Sequence, residues 1–171
     1  MLKGYARQAQ LLLLEGASPE QVDSAMEAWG MAMGPLAVGD LAGLDIGYRS
    51  RRDQGVESRS ARESALADTL VEMQRLGQKS GAGFYKKVGR DILRYDAQAL
   101  DGKGDYVPSG AKADEVVARM LKKPAGERHK LLRGAEGAEP RFLWAILRDQ
   151  FHYAAVHLHT VAEAARDIDL A

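Results

Sequence analysis

The residues best suited to contact a charged ligand lie in a glycine-rich loop, which runs Gly77-Gln78-Lys79-Ser80-Gly81-Ala82-Gly83. Backbone amides in such a loop, with the Lys79 ammonium as a point charge, can contact a phosphate or a pyrophosphate. The loop differs from a Walker phosphate-binding loop, because its lysine precedes the last two glycines and a helical pattern comes before it instead of a strand. Spacing alone therefore favours a simple turn, with anion binding as the alternative.

Three histidines lie near the C-terminus, at positions 152, 157 and 159. No two of them are three or four residues apart, which is the spacing that lets two imidazoles bind one metal ion from a single helix. The chain contains no cysteine, so disulfides, thiolate ligands and a cysteine nucleophile are excluded. No serine, histidine and aspartate form a recognisable catalytic grouping. We therefore predict neither a metal site nor a catalytic residue in this chain.

The composition argues against several classes of partner. The 171 residues include 24 Lys and Arg and 24 Asp and Glu, for a net charge of zero, so nothing attracts the chain to nucleic acid or to an anionic membrane. The longest apolar run, Leu11 to Leu14, is far shorter than the roughly 20 residues that span a membrane. No secretory signal precedes it. We expect a soluble, cytoplasmic protein that binds no nucleic acid and has no membrane span.

Two helices are predicted at the start of the chain. The first has an apolar face at three- and four-residue steps, formed by Leu2, Tyr5, Ala9 and Leu12. The second begins at a capping box, in which Ser18 caps the helix, Pro19 takes the first helical position and Gln21 returns a hydrogen bond.

A third helical segment is predicted from Gly34 and Pro35 onwards. One face carries three apolar residues: Leu41, Leu44 and Tyr48. Glycines recur every four residues at positions 39, 43 and 47. Because a glycine costs roughly 1 kcal/mol relative to alanine inside a helix, this stripe indicates the close approach of another helix or of a ligand, and helix packing is the favoured interpretation.

The second half of the chain begins with signals for a hairpin and a linker. Phe84-Tyr85 and Ile92-Leu93 flank Gly89-Arg90, which is typical of a short β-hairpin. The stretch around residues 101–112 is rich in Asp, Gly, Pro and Ser, so we predict a linker there. We expect a first domain over residues 1–100 and a helical segment over residues 113–171.

The last helical segment repeats the pattern of the first. A shift of 169 − 23 = 146 residues places Asp169 on Asp23, and it also aligns Phe151 with Tyr5, Ala155 with Ala9 and Leu158 with Leu12. This echo indicates the start of a second copy of the same helical unit. Chance similarity between two amphipathic helices is the alternative.

Four motifs, taken in order, resemble the C-terminal domain of 3-hydroxyacyl-CoA dehydrogenases of the bacterial multifunctional fatty-acid oxidation type. The motifs are Glu15-Gly16-Ala17-Ser18-Pro19-Glu20-Gln21-Val22-Asp23, Gly30-Met31-Ala32-Met33-Gly34-Pro35, Asp40-Leu41-Ala42-Gly43-Leu44-Asp45 and Leu76-Gly77-Gln78-Lys79-Ser80-Gly81-Ala82-Gly83-Phe84-Tyr85. The resemblance implies a mainly α fold, namely a 6-phosphogluconate dehydrogenase C-terminal-like helical domain with a short β-hairpin. The start of a second helical repeat is expected to follow it.

The resemblance also implies a function. In this family an NAD-binding Rossmann domain carries the chemistry that converts a (3S)-3-hydroxyacyl-CoA and NAD⁺ to a 3-oxoacyl-CoA and NADH. The C-terminal helices close the acyl-CoA cleft and form a homodimer. By resemblance, the segment Met33, Gly34, Pro35, Leu36 lies against the acyl chain, and Lys79 matches a lysine that reaches the bound dinucleotide.

Three departures from the family pattern limit what this chain can do alone. No G-x-G-x-x-G follows a strand, the sequence contains no asparagine for the family's catalytic Asn-Arg motif, and the family's His–Glu pair is absent. We therefore expect an excised portion of the enzyme that is inactive in isolation. A stand-alone helical interaction module is the main alternative. A domain of another hydroxyacid dehydrogenase shares the architecture but does not explain all four motifs.

Overall fold

The computed structural model of the chain describes residues 2–55, 64–96, 105–110, 115–162, 164 and 166. Over these residues the fold is mainly helical with one small antiparallel sheet, as the sequence predicts. Within this part of the chain the α-helices are α1 (Leu2–Leu14), α2 (Pro19–Ala28), α3 (Pro35–Ala42), α4 (Leu44–Asp53), α5 (Ala65–Glu72), α6 (Glu115–Met120), α7 (Ala125–Gly134) and α8 (Ala138–Val161). The strands are β1 (Tyr85–Val88), β2 (Asp91–Tyr95) and β3 (Tyr106–Pro108), in the order β1-β2-β3. None of the described helices is long and apolar enough to cross a membrane.

Both ends of the chain contribute to one hydrophobic core. Helix α8 packs against α1 and α2, and α3 packs against the same two helices. Leu12 of α1 and Leu143 and Ile146 of α8 are buried together with Phe84, which precedes β1. Removing such side chains from water is the main favourable term in folding, at about 1.5–3 kcal/mol for each large one.

The predicted capping box is present at the start of α2. The backbone N–H of Gln21 donates to Ser18 Oγ at 3.2 Å, and the backbone N–H of Ser18 donates to Gln21 Oε1 at 2.9 Å. Pro19 occupies the first turn, where its missing N–H leaves no helical bond unmade. The start of this helix was therefore encoded locally.

The third segment predicted from the sequence forms two helices, α3 and α4. The prediction that Leu41, Leu44 and Tyr48 share one apolar face is wrong. Gly43 adopts a φ of +102° between α3 and α4, a conformation that L side chains rarely adopt. The next backbone N–H, that of Leu44, donates to the carbonyl of Leu76 at 3.1 Å instead of continuing α3. The break turns Leu41 outwards, with 58% of its surface exposed, while Leu44 is buried.

The predicted hairpin is confirmed, with Val88 paired to Asp91 across Gly89 and Arg90. Residues 106–108, inside the predicted linker, form β3 and pair with β2. The division into domains over 1–100 and 113–171 stays a prediction.

The predicted second copy also stays a prediction. The register of the echo places the end of α1, at Leu14, on residue 160, and α8 ends at Val161. The predicted second helix of that copy falls mainly on residues 167–171, which lie outside the described residues.

Candidate functional site

A buried carboxylate on α2 holds the start of α3. The N-cap of α3 is Gly34, which has no side chain to bond the free amides of the first turn. Asp23 supplies the missing acceptor, because its Oδ1 receives the Leu36 N–H and its Oδ2 receives the Ala37 N–H, each at 2.9 Å. One helical turn later, Glu27 Oε1 accepts the Gly34 N–H at 3.1 Å. Two acidic side chains of α2 therefore fix the backbone at residues 34–37. Their negative charge is also stabilised by the positive end of the α3 dipole.

A second buried carboxylate holds the backbone that enters β1. Asp40 on α3 accepts the Phe84 N–H on Oδ1 at 2.9 Å and the Tyr85 N–H on Oδ2 at 2.8 Å. The Tyr85 hydroxyl in turn donates to Asp23 Oδ2 at 2.8 Å. Tyr85 thus connects the two carboxylates, one through its backbone and one through its side chain.

Glycines make room for both carboxylates. A Cβ added at Gly34 would overlap the Asp23 side chain, and one added at Gly83 would overlap the Asp40 carboxylate. Gly77, with a φ of +99°, lies against the backbone of Asp40. The glycines of the loop therefore permit its close approach to α3.

Burial changes the pKa values of Asp23, Asp40 and Tyr85, which together form the carboxylate cluster. Loss of water around the carboxylates raises the pKa of Asp23 to about 6 and that of Asp40 to about 6. The hydrogen bonds from Leu36, Tyr85 and Ala37 oppose the rise at Asp23, since they stabilise its charged form. Burial and the neighbouring Asp23 charge raise the pKa of Tyr85, so its hydroxyl keeps the proton that it donates.

Lys79 lies in a 3₁₀ turn, Gln78–Ser80, and its ammonium binds Asp45 in the first turn of α4. The other oxygen of Asp45 pairs with Arg49 at 3.2 Å. The hydrogen bond from Lys79 lowers the pKa of Asp45. The Lys79 ammonium passes over Gly43, where an added Cβ would lie only 2.6 Å from its nitrogen. With 46% of its side chain exposed, Lys79 can still reach a ligand.

An open cavity of about 700 Å³ lies between α2, α3 and the hairpin. Its lining includes four acids, two lysines and the apolar Ile92: Glu20, Asp23, Glu27, Asp40, Lys86 and Lys87. No cluster of histidine and acidic side chains suited to a metal ion occurs within the described ranges.

The predicted site residues lie in two segments, residues 33–36 and the loop that carries Lys79. The cluster of Asp23, Asp40 and Tyr85 connects these two segments. Gly34, Pro35 and Leu36 are buried, and Met33 before them is half-buried. Lys79 belongs to the loop that Asp40 and the glycines hold. Sequence reasoning did not single out Asp23, Asp40 or Tyr85 as a cluster. The signal that was available is Asp23 itself, an acid beside Val22 and Met26 on the buried face of α2.

The first half of the chain matches a known protein family. The family model described as "3-hydroxyacyl-CoA dehydrogenase, C-terminal domain" matches residues 1–87, half of the chain. The chain belongs to this family. The matched residues contain α1 to α5, the Lys79 loop and Tyr85, so the whole carboxylate cluster lies within the 3-hydroxyacyl-CoA dehydrogenase C-terminal domain. The resemblance predicted from four motifs is confirmed.

The similarity to curated relatives extends past residue 87, where the family match ends. A peroxisomal bifunctional enzyme from Cavia porcellus is 33% identical over 95% of this chain and 27% of its own length. That of Danio rerio is 40% identical over 82% of this chain and 22% of its own length. A fatty acid oxidation complex subunit alpha from Acinetobacter baylyi is 33% identical over 65% of this chain and 17% of its own length.

The chain thus spans about a quarter or less of the length of these relatives. Among solved structures, the dehydrogenase part of multifunctional enzyme 1 from C. elegans aligns with a TM-score of 0.46 at 20% identity. That alignment covers 86% of this chain and 35% of the other.

Proposed function

We propose that this chain forms the substrate-cleft and dimerisation region of an NAD-dependent 3-hydroxyacyl-CoA dehydrogenase of fatty-acid β-oxidation. The family membership and the fatty-acid oxidation relatives support this role. The parent reaction oxidises a (3S)-3-hydroxyacyl-CoA to a 3-oxoacyl-CoA. The alternative is a stand-alone, non-catalytic helical interaction module with the same fold.

The observation that carries the proposal is the rigid connection between the two predicted ligand-contacting segments. Asp23 fixes the backbone directly after Met33, and Asp40 fixes the end of the Lys79 loop. Tyr85 bonds to both carboxylates. A cleft that must hold an acyl chain and a dinucleotide in register benefits from such fixed spacing, because reaction rates depend on the alignment of the reacting groups.

NAD would accept the hydride in the parent reaction, and Lys79 is the residue of this chain best placed to contact it. Its ammonium retains N–H groups beyond the one given to Asp45, and 46% of the Lys79 side chain is exposed. The dinucleotide fold itself requires a G-x-G-x-x-G segment that this sequence lacks. Most of the NAD site would therefore be contributed by a Rossmann domain.

A homodimer and a cytoplasmic location complete the proposal. Exposed apolar side chains on the second half of α8, Phe151, Tyr153 and Val156, provide a surface that self-association would cover. Sedimentation of the full chain over a wide concentration range tests this, and a strict monomer would contradict it. Bacterial fatty-acid oxidation relatives support the location, whereas the peroxisomal relatives offer a different one.

The proposed cleft is tested by calorimetric titration of acetoacetyl-CoA into the full chain. We expect measurable binding that weakens in Met33→Ala, because this half-buried methionine precedes the anchored turn. Leu131→Ala on α7 is the control, since Leu131 is similarly apolar and partly exposed but lies outside the proposed cleft. No binding by the wild-type chain would favour the interaction module.

A further inference from the structure

Tyr85 makes two hydrogen bonds that serve different segments. Its backbone N–H donates to Asp40 and its hydroxyl to Asp23, each at 2.8 Å. Substitution by phenylalanine removes only the second bond, because the backbone bond and the aromatic ring remain. The two connections are therefore separable by experiment.

The hydroxyl bond acts on the start of α3 through Asp23. The same Asp23 oxygen, Oδ2, accepts both the Tyr85 hydroxyl and the Ala37 N–H, while Oδ1 accepts the Leu36 N–H. Gly34, which caps α3, offers no side chain of its own. The orientation of the turn that carries Met33 therefore depends on where Tyr85 holds the Asp23 carboxylate.

We propose that Tyr85 is a positioning residue, whose hydroxyl acts through Asp23 to hold the segment Met33–Leu36 in the orientation that contacts an acyl-CoA. This inference rests on the proposed function, since it assumes that the segment contacts the acyl chain. The Lys79 loop is held separately, by Asp40 and by the glycines packed against it. Loss of the hydroxyl should therefore weaken the affinity for an acyl-CoA and leave the affinity for the dinucleotide unchanged.

The hydroxyl also sets the pH at which Asp23 takes up a proton. Burial raises the pKa of Asp23 to about 6, with the Glu27 charge adding to the rise, whereas the bond from Tyr85 lowers it. Asp40 and Tyr5 also lie near Asp23, and burial raises the pKa of each, with the Asp23 charge adding to the rise. Glu20, Lys86 and Lys87 line the same cavity as Asp23. Without the Tyr85 hydroxyl, the pKa of Asp23 rises further, because a donor to the charged form is lost.

The test is the dissociation constant for acetoacetyl-CoA, measured on the full chain for wild type and Tyr85→Phe. We expect Tyr85→Phe to raise it about three- to tenfold. The dissociation constant for NADH, measured on the same chains with an added NAD-binding Rossmann domain, should stay unchanged. Amide hydrogen exchange should become faster at residues 36 and 37 but not at 84 and 85. Tyr48→Phe, at a partly buried tyrosine of α4 outside the proposed acyl-binding segment, is the matched control.

A pH series separates positioning from general loosening. In wild type the affinity for acetoacetyl-CoA should fall as the pH drops through the pKa of Asp23, since a protonated carboxyl holds the two amides less well. In Tyr85→Phe this transition should move to higher pH. The phosphates of the ligand titrate equally in both proteins, so the difference between them reports on the protein.

Three results would overturn the inference. Equal affinities in wild type and Tyr85→Phe, with Met33→Ala weakened, contradict it and leave the proposed function intact. A parallel loss of acetoacetyl-CoA and NADH affinity identifies general loosening instead. If neither Met33→Ala nor Tyr85→Phe changes the affinity, the segment does not contact the ligand, and the proposed cleft fails together with the inference.

Discussion

The Tyr85 hydroxyl donates to the Asp23 carboxylate at 2.8 Å across 62 residues of sequence. Asp23 is buried and also holds two backbone amides of α3. This arrangement replaces a local N-cap by a carboxylate from another helix, so that the start of α3 is fixed by tertiary structure.

The contribution of Asp23 and Asp40 to the free energy of unfolding should rise as the pH falls from 7 towards 4. Burial raises the pKa of both carboxyls to about 6 in the folded state, so the folded protein binds these protons more tightly than the unfolded chain. Each group should add about 2–3 kcal/mol to the free energy of unfolding over this range. Urea unfolding at a series of pH values measures it.

Asp23→Asn provides the matching variant, since an amide does not titrate. It should reduce the pH dependence, while Asp91→Asn, at an exposed position of the hairpin, should not. An unchanged slope in Asp23→Asn would show that the proton is taken up elsewhere.

Gly83→Ala should destabilise the protein by about 2–3 kcal/mol, because the added methyl group would overlap the Asp40 carboxylate. Gly126→Ala is the control. It lies in the first turn of α7 with open space around it, and alanine should change the stability by less than about 0.5 kcal/mol. Thermal unfolding monitored by circular dichroism measures both, and equal melting temperatures would refute the close approach at Gly83.

Arg51→Ala should cost about 3 kcal/mol of stability. The Arg51 guanidinium binds Asp68 of α5, whose side chain is only 2% exposed, so its removal takes one charge partner from a buried carboxylate. Arg49→Ala, by contrast, should change stability by less than about 0.5 kcal/mol. Arg49 pairs with Asp45 but has 75% of its side chain exposed. Similar losses in the two variants would contradict this difference.

Lys79→Ala should weaken dinucleotide binding by about fivefold to tenfold, because one charge-assisted hydrogen bond is lost. The affinity for NADH is measured on the full chain joined by an NAD-binding domain from a relative. Lys130→Ala removes an exposed lysine of α7, away from the cavity, and should have no effect. Equal affinities in the wild type and Lys79→Ala would remove Lys79 from the proposed site.

Local features of the fold were predictable from the sequence, and distant ones were not. The capping box at Ser18 and the turn at Gly89 involve residues only a few positions apart, so their chemistry is readable from spacing. The break at Gly43 depends on the Leu76 carbonyl, more than 30 residues away. That partner is invisible to helical periodicity, which instead places Leu41, Leu44 and Tyr48 on one face.

The candidate site was only half predictable for the same reason. Met33, Lys79 and their neighbours entered through family motifs, whereas the cluster that positions them requires three-dimensional contacts. Arg51 lies in a charge-dense stretch without an apolar stripe, which is typical of a solvated surface, yet it binds the buried Asp68. A charged side chain that is solvated and one that pairs inside the fold look identical in sequence.

The most direct test of the proposed function is a dehydrogenase assay after complementation. The full chain is mixed with an NAD-binding Rossmann domain of a 3-hydroxyacyl-CoA dehydrogenase, and oxidation of NADH by acetoacetyl-CoA is followed by absorbance. We predict no turnover by this chain alone and turnover in the mixture, reduced when Met33→Ala or Tyr85→Phe replaces the wild type. A mixture that stays inactive, although both proteins are folded and in contact, would contradict the assignment and support a non-catalytic interaction module.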